Sequence, residues 1–152
     1  MDKEFEIVEQ QLDEPTCWRL VARAGFGRVG FVRNGAVAVL PVNVTVSHRR
    51  VLFRTADHSS LATDGEGALV AFEADHTDPA AESGWSVLIR GRLRAVTDTA
   101  ELGLLRGSSL RPWAPDARDR WMAVTPVEVT GRMIQRHRHL PPGVHVPYMA
   151  PD

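Results

Sequence analysis

The sequence predicts a mainly β fold of the α+β class, a small six-stranded antiparallel barrel with a few short helices. Three observations predict it. Apolar and polar residues alternate in runs of about five to twelve residues, these runs are joined mostly by turns rather than by long helices, and one junction is the pair Asn34-Gly35, the dipeptide favoured in tight hairpins. Short connections of this kind fit an antiparallel barrel and not a parallel βαβ sheet. With 152 residues, 43% of them hydrophobic and 24% charged, the chain reads as a single domain over 1–152 with enough apolar material for one core.

The elements follow in order. Asp13 is placed to cap a helix in which Glu14 and Pro15 form the first turn and Cys17, Leu20, Val21 and Ala24 recur on one face until Gly25 stops it. Arg28–Val32 and Ala36–Val46 then form a hairpin about Asn34-Gly35, and a second turn at Ser47–Arg50 leads to a strand at Val51–Thr55. A short helix is expected from about Ser59 to Glu66. Leu69–Ala74 and Trp85–Val96 are further strands, with Gly91 marking a bulge or bend in the second. A helix follows at Asp98–Arg106, then a Pro-rich loop at Arg111–Arg118 carrying Trp113, and a last strand from Trp121 to Val129 and on toward Ile134. Segments 1–11 and 136–152 read as irregular tails, the second because of its four prolines.

Composition removes several chemistries. Seventeen of the eighteen basic residues are Arg and the one Lys is Lys3, which excludes Schiff-base catalysis by a buried lysine. A net charge of -1 and no basic run longer than Arg49-Arg50 argue against a nucleic-acid face. The single Cys17 allows neither an internal disulfide nor a Cys-rich zinc site. No apolar run is long enough to span a membrane, and the acidic start at Met1–Gln11 does not resemble a secretory leader, so a cytoplasmic protein is expected.

Several motifs fail on inspection. Gly25-Phe26-Gly27-Arg28-Val29-Gly30 matches G-x-G-x-x-G, but dinucleotide binding needs a strand before the glycines and a helix after them, and here that order is reversed. Gly84-Trp85-Ser86-Val87-Leu88 lacks the final glycine of a nucleophile elbow. His137 and His139 share a strand face but lack a third ligand nearby, and the loop around Asp75, His76 and Asp78 is polar enough to be explained by solvation. The carboxylates Glu73, Asp75, Asp78 and Glu82 suit glycoside chemistry only if two face one cleft, which sequence does not decide.

The segment Phe53–Leu61 is the most informative. Arg54 offers a guanidinium fork, and Thr55, Ser59 and Ser60 offer hydroxyls at a strand-to-helix turn, the parts from which an anion site is built. The alternative is structural: Ser59 caps the helix while Arg54 pairs with Asp57 or Glu73.

Taken in order, Gly-Phe-Gly-Arg-Val-Gly-Phe-Val, Ala-Val-Leu-Pro-Val-Asn, Leu-Phe-Arg-Thr-Ala, Val-Ala-Phe-Glu-Ala-Asp, Gly-Trp-Ser-Val-Leu-Ile-Arg-Gly and Arg-Pro-Trp-Ala-Pro resemble the pyridoxamine 5'-phosphate oxidase-like family across about Leu12 to Ile134. The resemblance implies a split β-barrel that forms a homodimer with a flavin mononucleotide (FMN) in each of two clefts between the subunits. It implies that Leu40, Pro41, Val42 and Asn43 pass under the flavin ring, that Arg54 and Thr55 meet the phosphate with Ser59 and Ser60 beside them, and that Trp85 and the Trp113 loop wall the cleft, from the same subunit or from the second. For the two tryptophans a core role is an equal alternative. The chain departs from the family at Ser60, where relatives carry Lys, which leaves Arg54 as the main cation. It also lacks the family's C-terminal Arg-x-His, since Arg136-His137-Arg138-His139 does not match it, so oxidation of pyridoxamine phosphate itself is not implied. The expected function is therefore an FMN-dependent oxidoreductase acting on some other small molecule. The alternative is a barrel that binds deazaflavin or haem, or a non-catalytic cofactor-binding protein.

Overall fold

Local rules start and stop most of the elements. In the computed structural model, which describes residues 5–56, 59–63, 65–107 and 120–138, Asp13 caps the first helix, its carboxylate accepting the Thr16 N–H at 2.8 Å. Gly25 ends that helix at φ 62° and donates its N–H to the Val21 carbonyl. Asn34 and Gly35 both take positive φ, 51° and 74°, as a two-residue hairpin turn requires. Asp98 caps a later helix through the Glu101 N–H at 2.8 Å.

The order along the chain is β1 (Phe5–Gln11), α1 (Glu14–Ala24), β2 (Phe26–Arg33), β3 (Ala36–Asn43), β4 (Thr45–Ser47), β5 (Arg50–Thr55), α2 (Ser60–Thr63), β6 (Leu69–Asp78), β7 (Ser83–Ala95), α3 (Thr99–Arg106) and β8 (Arg120–Arg138). All strand pairs are antiparallel, in the spatial order β3-β2-β6-β7-β8-β5-β4, with β1 added beside β8. The two ends of that path, β3 and β4, are consecutive in the chain and separated only by Val44. The sheet is therefore curled back on itself as a barrel.

The fold class is as read from the sequence, but the described residues form eight strands where six were expected. One addition is the division of Ala36–Val46 at Val44, whose N–H turns to the Gly25 carbonyl at 3.0 Å instead of joining a ladder. The other is β1, which corrects the reading of 1–11 as an irregular tail. Phe5–Gln11 pairs residue by residue with Arg132–Arg138, so the expected second tail likewise begins as strand through Arg138. Neither segment carries an apolar alternation: Met133 is buried but Ile7 remains 57% exposed, and the pairing rests largely on the ladder and on surface pairs such as Arg132–Glu9. The helix expected at Ser59–Glu66 is a single turn, Ser60–Thr63.

The main core fills the inside of the curl. Val29, Phe53, Phe72, Ile89 and Met122 are fully buried there against Cys17 and Val21 of α1. A smaller cluster on the other face, with Leu52, Trp121 and Ala123, lies under Leu105 of α3. The bulge expected at Gly91 is present as a shift of register between Arg90 and Gly91. A Cβ at Gly91 would stand 2.2 Å from the Thr125 carbonyl oxygen.

The glycines of the failed dinucleotide motif have a packing explanation. A Cβ on Gly27 would meet the Phe72 ring at 2.4 Å, whereas one on Gly30 would find its nearest atom at 3.8 Å. Gly27→Ala is accordingly expected to destabilise the fold by about 1–3 kcal/mol, and Gly30→Ala to stay within about 0.5 kcal/mol of the parent, as read from urea midpoints. Equal midpoints for the two variants would contradict this packing.

Candidate functional site

Arg54 is the centre of the predicted anion site, and its surroundings come from three strands. On β5 it stands opposite Trp121 of β8, with its guanidinium carbon 5.7 Å from the Trp121 ring centroid. Its Nε is buried and has no hydrogen-bond partner among the described residues. A buried donor left unpaired costs free energy that an incoming acceptor recovers. Next to it Thr55 is a buried polar residue, its Oγ1 2.8 Å from Ser59 Oγ. Ser59 Oγ accepts the Ala62 N–H at 3.2 Å, so Ser59 does cap α2. The pairing of Arg54 with Glu73 is not found, because Glu73 lies on β6 beside Arg28. Asp57 lies outside the described residues, and Ser60 opens α2.

The four residues Leu40, Pro41, Val42 and Asn43 form the second half of β3, opposite Val29, Arg28, Gly27 and Phe26. After Val44 the chain continues as β4 with Thr45 opposite Leu52, which carries Asn43 alongside the Arg54 end of β5, and β3 and β5 are in contact. Leu40 is 40% exposed and Pro41 is exposed, while Val42 and Asn43 are half-buried. The structure thus brings Leu40–Asn43, Arg54, Thr55 and Ser59 to one end of the barrel.

It does not bring Trp85 there within one protomer. Trp85 pairs with Met133 on β8, twelve positions from Trp121, or ~40 Å of strand contour. Trp85 packs against the main core and borders a cavity of about 660 Å³ between α1 and the β6–β7 hairpin. Trp113 and His139 lie outside the described residues. His137 contacts Gln135 Oε1 at 3.3 Å, and no group of three or more His, Cys, Asp or Glu among the described residues is arranged to hold a metal.

A cluster that sequence reasoning missed lies beside β3. Arg28 Nη1 is 3.7 Å from Glu73 Oε2 and 3.6 Å from Asp75 Oδ2, and Arg28 is flanked in the ladder by Pro41 on one side and Glu73 on the other. The signal was the i, i+2 spacing of two acids on one strand face, but their basic partner lies about 45 residues away. Burial pushes the Glu73 carboxyl up to about 7, helped by the hydrogen bond and negative charge of Asp75 and opposed by Arg28. The folded chain therefore keeps a proton that the unfolded chain releases near 4.5. This contribution to stability is complete below pH 4.5 and is lost as pH rises through about 7. Urea midpoints between pH 5 and 7.5 should fall with rising pH in the parent, and this part of the slope should vanish in Glu73→Gln; an unchanged slope would contradict the assignment.

Residues 13–133 match the pyridoxamine 5'-phosphate oxidase family. An uncharacterised protein of Mycobacterium tuberculosis is 36% identical over 131 residues, covering 83% of this chain and 84% of that one. Among solved structures, the FAD binding protein from Mycobacterium smegmatis superposes with a TM-score of 0.71 at 32% identity, over 83% of this chain and 98% of that one. A conserved protein of unknown function from Corynebacterium diphtheriae gives 0.67 at 29% identity, over 82% and 96%. On the match over residues 13–133 and the 36% identity, the chain belongs to the pyridoxamine 5'-phosphate oxidase family.

Proposed function

We propose that this protein is a flavin-dependent oxidoreductase of the split-barrel type, acting on a small molecule, with FMN held between Leu40–Asn43 and the Arg54 end of β5. The observation that carries this reading is Arg54: a buried guanidinium N–H without an acceptor among the described residues, next to two hydroxyls, suits a phosphate group. When bound, the flavin ring exchanges a hydride with the substrate. The chain's own part is binding and orientation. Arg54 holds the phosphate, Thr55 and Ser59 give it hydroxyl contacts, and Leu40–Asn43 support the ring through the backbone of β3. With Ser60 in the place where relatives carry Lys, Arg54 supplies most of the positive charge. The FAD binding of the relative that is 32% identical favours a second reading, in which the phosphate on Arg54 belongs to FAD.

A homodimer completes the proposal. Val37 stands opposite Val32, and Val39 opposite Gly30, which faces Ala71 in turn; Leu69 continues the same face. Val32, Val37, Val39 and Leu69 are 67%, 78%, 58% and 55% exposed, an apolar face that a two-fold axis would cover with its own copy.

Arg54→Ala is expected to weaken FMN binding about ten- to a hundredfold and to leave riboflavin, which has no phosphate, nearly unaffected. Equal losses would assign Arg54 to the fold or the ring instead. Absorption near 375 and 450 nm (approximate values) in the purified protein, with the mass of the released cofactor, separates FMN from FAD and both from haem. Light scattering should give twice the 16.8 kDa chain mass, and Val39→Lys should shift the protein toward the monomer; a monomeric parent would remove the dimer from the proposal.

A further inference from the structure

The β6–β7 hairpin outruns the strand next to it. β6 pairs with β2 only over Ala71–Glu73 but continues to Asp78 against β7, so its last residues have no β2 neighbour and stand across an open space from the end of α1. That space is the cavity of about 660 Å³, inside the ~300–1,000 Å³ range of small-molecule sites. Its floor is apolar: Trp85 and its ladder partner Met133, with Leu20 of α1. Phe26 forms one wall.

Two features of the lining distinguish it from a packing gap. The first is Trp85, which is half-buried, with no hydrogen bond to its indole N–H among the described residues; Trp18, by contrast, donates to Glu14 Oε1 at 3.2 Å. An indole that lines a cavity and packs on the core behind it suits a planar ring. The second is the rim, where Asp75 and Asp78 contribute carboxylates. Asp78 Oδ1 accepts the N–H groups of Ala80 and Ala81 at 3.1 Å each, which fixes the carboxylate, and Oδ2 has no partner among the described residues. Arg23 lies on the opposite rim, in the last turn of α1, where its charge complements the helix's terminal carbonyls. Asp75 is already shared with Arg28 at 3.6 Å, the Phe26 ring already carries the Arg28 guanidinium, and Arg23 and His76 also line the bay. Asp78 and Trp85 are therefore the groups left to select for positive charge, a cation gaining from the carboxylate and the ring face together.

We propose that this bay is a second binding site, distinct from the Arg54 cleft, for a small planar aromatic cation that stacks on Trp85 with its charge at Asp78. Within one protomer none of the described residues of the Arg54 cleft lines it, and the FMN arm of the test shows whether a second copy joins the two.

The test uses three probes of one shape: benzyltrimethylammonium, benzenesulfonate and benzyl alcohol. Each is titrated into the full chain and followed by ligand-observed NMR, with and without saturating FMN. The cation should bind at least about tenfold more tightly than the anion or the alcohol. Asp78→Asn keeps the Oδ1 that accepts the turn N–H groups, so it should fold, and it should lower cation affinity about three- to tenfold while leaving the alcohol unchanged. Trp85→Leu should weaken the cation and the alcohol, and Trp85→Phe should restore part of both. Arg54→Ala, which tests the flavin reading, should leave the cation's affinity unchanged. Equal binding of cation and anion, indifference to Asp78→Asn, or competition between the cation and FMN would each overturn the proposal.

Discussion

The structure depends on one strand. β8 runs for nineteen residues, ~60 Å of contour, and is hydrogen-bonded to three partners. One edge carries β7 along most of its length. The other is divided between β5 at Arg120–Val124 and β1 at Arg132–Arg138. A strand of that length has to bend to curl around a core of this size. The bend falls where Gly91 faces Pro126 and Arg90 faces Glu128, leaving Val127 as the extra, 71% exposed residue of a bulge. Past the bend, Gly131 lets α1 lie against the sheet, since a Cβ there would be 2.5 Å from the buried Cys17 Sγ. The fold is thus set by where β8 bends and by what its two ends hold.

Those ends separate the two regions of chemical interest. Trp121, at one end, is the ladder partner of Arg54, and Met133, toward the other, is the ladder partner of Trp85. Family resemblance grouped Arg54 and Trp85 into one cleft, with Trp85 from the same or the second subunit, and register places the two at different parts of one protomer. A flavin at Arg54 therefore meets Trp85 only if a second copy supplies it, whereas the bay at Trp85 is complete in one chain.

What was legible in the sequence was what local chemistry decides. Asp13 and Asp98 cap helices because a carboxylate next to free N–H groups works within a few residues, and Asn34-Gly35 turns because both residues accept positive φ. Gly91 marked the bulge because a glycine inside a strand pattern signals a close backbone approach, here to Thr125, and Arg54, Thr55 and Ser59 come together because they are neighbours in the chain. What was not legible is what register decides. Nothing in Phe5–Gln11 announces a strand whose partner lies more than 120 residues away, and the partner of Glu73 was sought at Arg54 when the ladder places it at Arg28. The division of Ala36–Val46 at Val44 was hidden because a buried valine continues the apolar pattern while its N–H leaves the ladder for Gly25.

Arg28 links these parts. In the ladder it lies between Pro41, on the strand proposed to support the flavin ring, and Glu73. Its neighbour on the same strand face is Phe26, whose ring lies 5.9 Å from its guanidinium carbon and forms a wall of the bay. One guanidinium facing two carboxylates cannot neutralise both, and Glu73, the more buried, keeps its proton up to about pH 7. Below that pH the Arg28 cluster therefore carries one negative charge fewer than above it. The charge beside Pro41 and Phe26 thus follows the proton on Glu73, a residue on the outer face of β6 that does not itself line the bay.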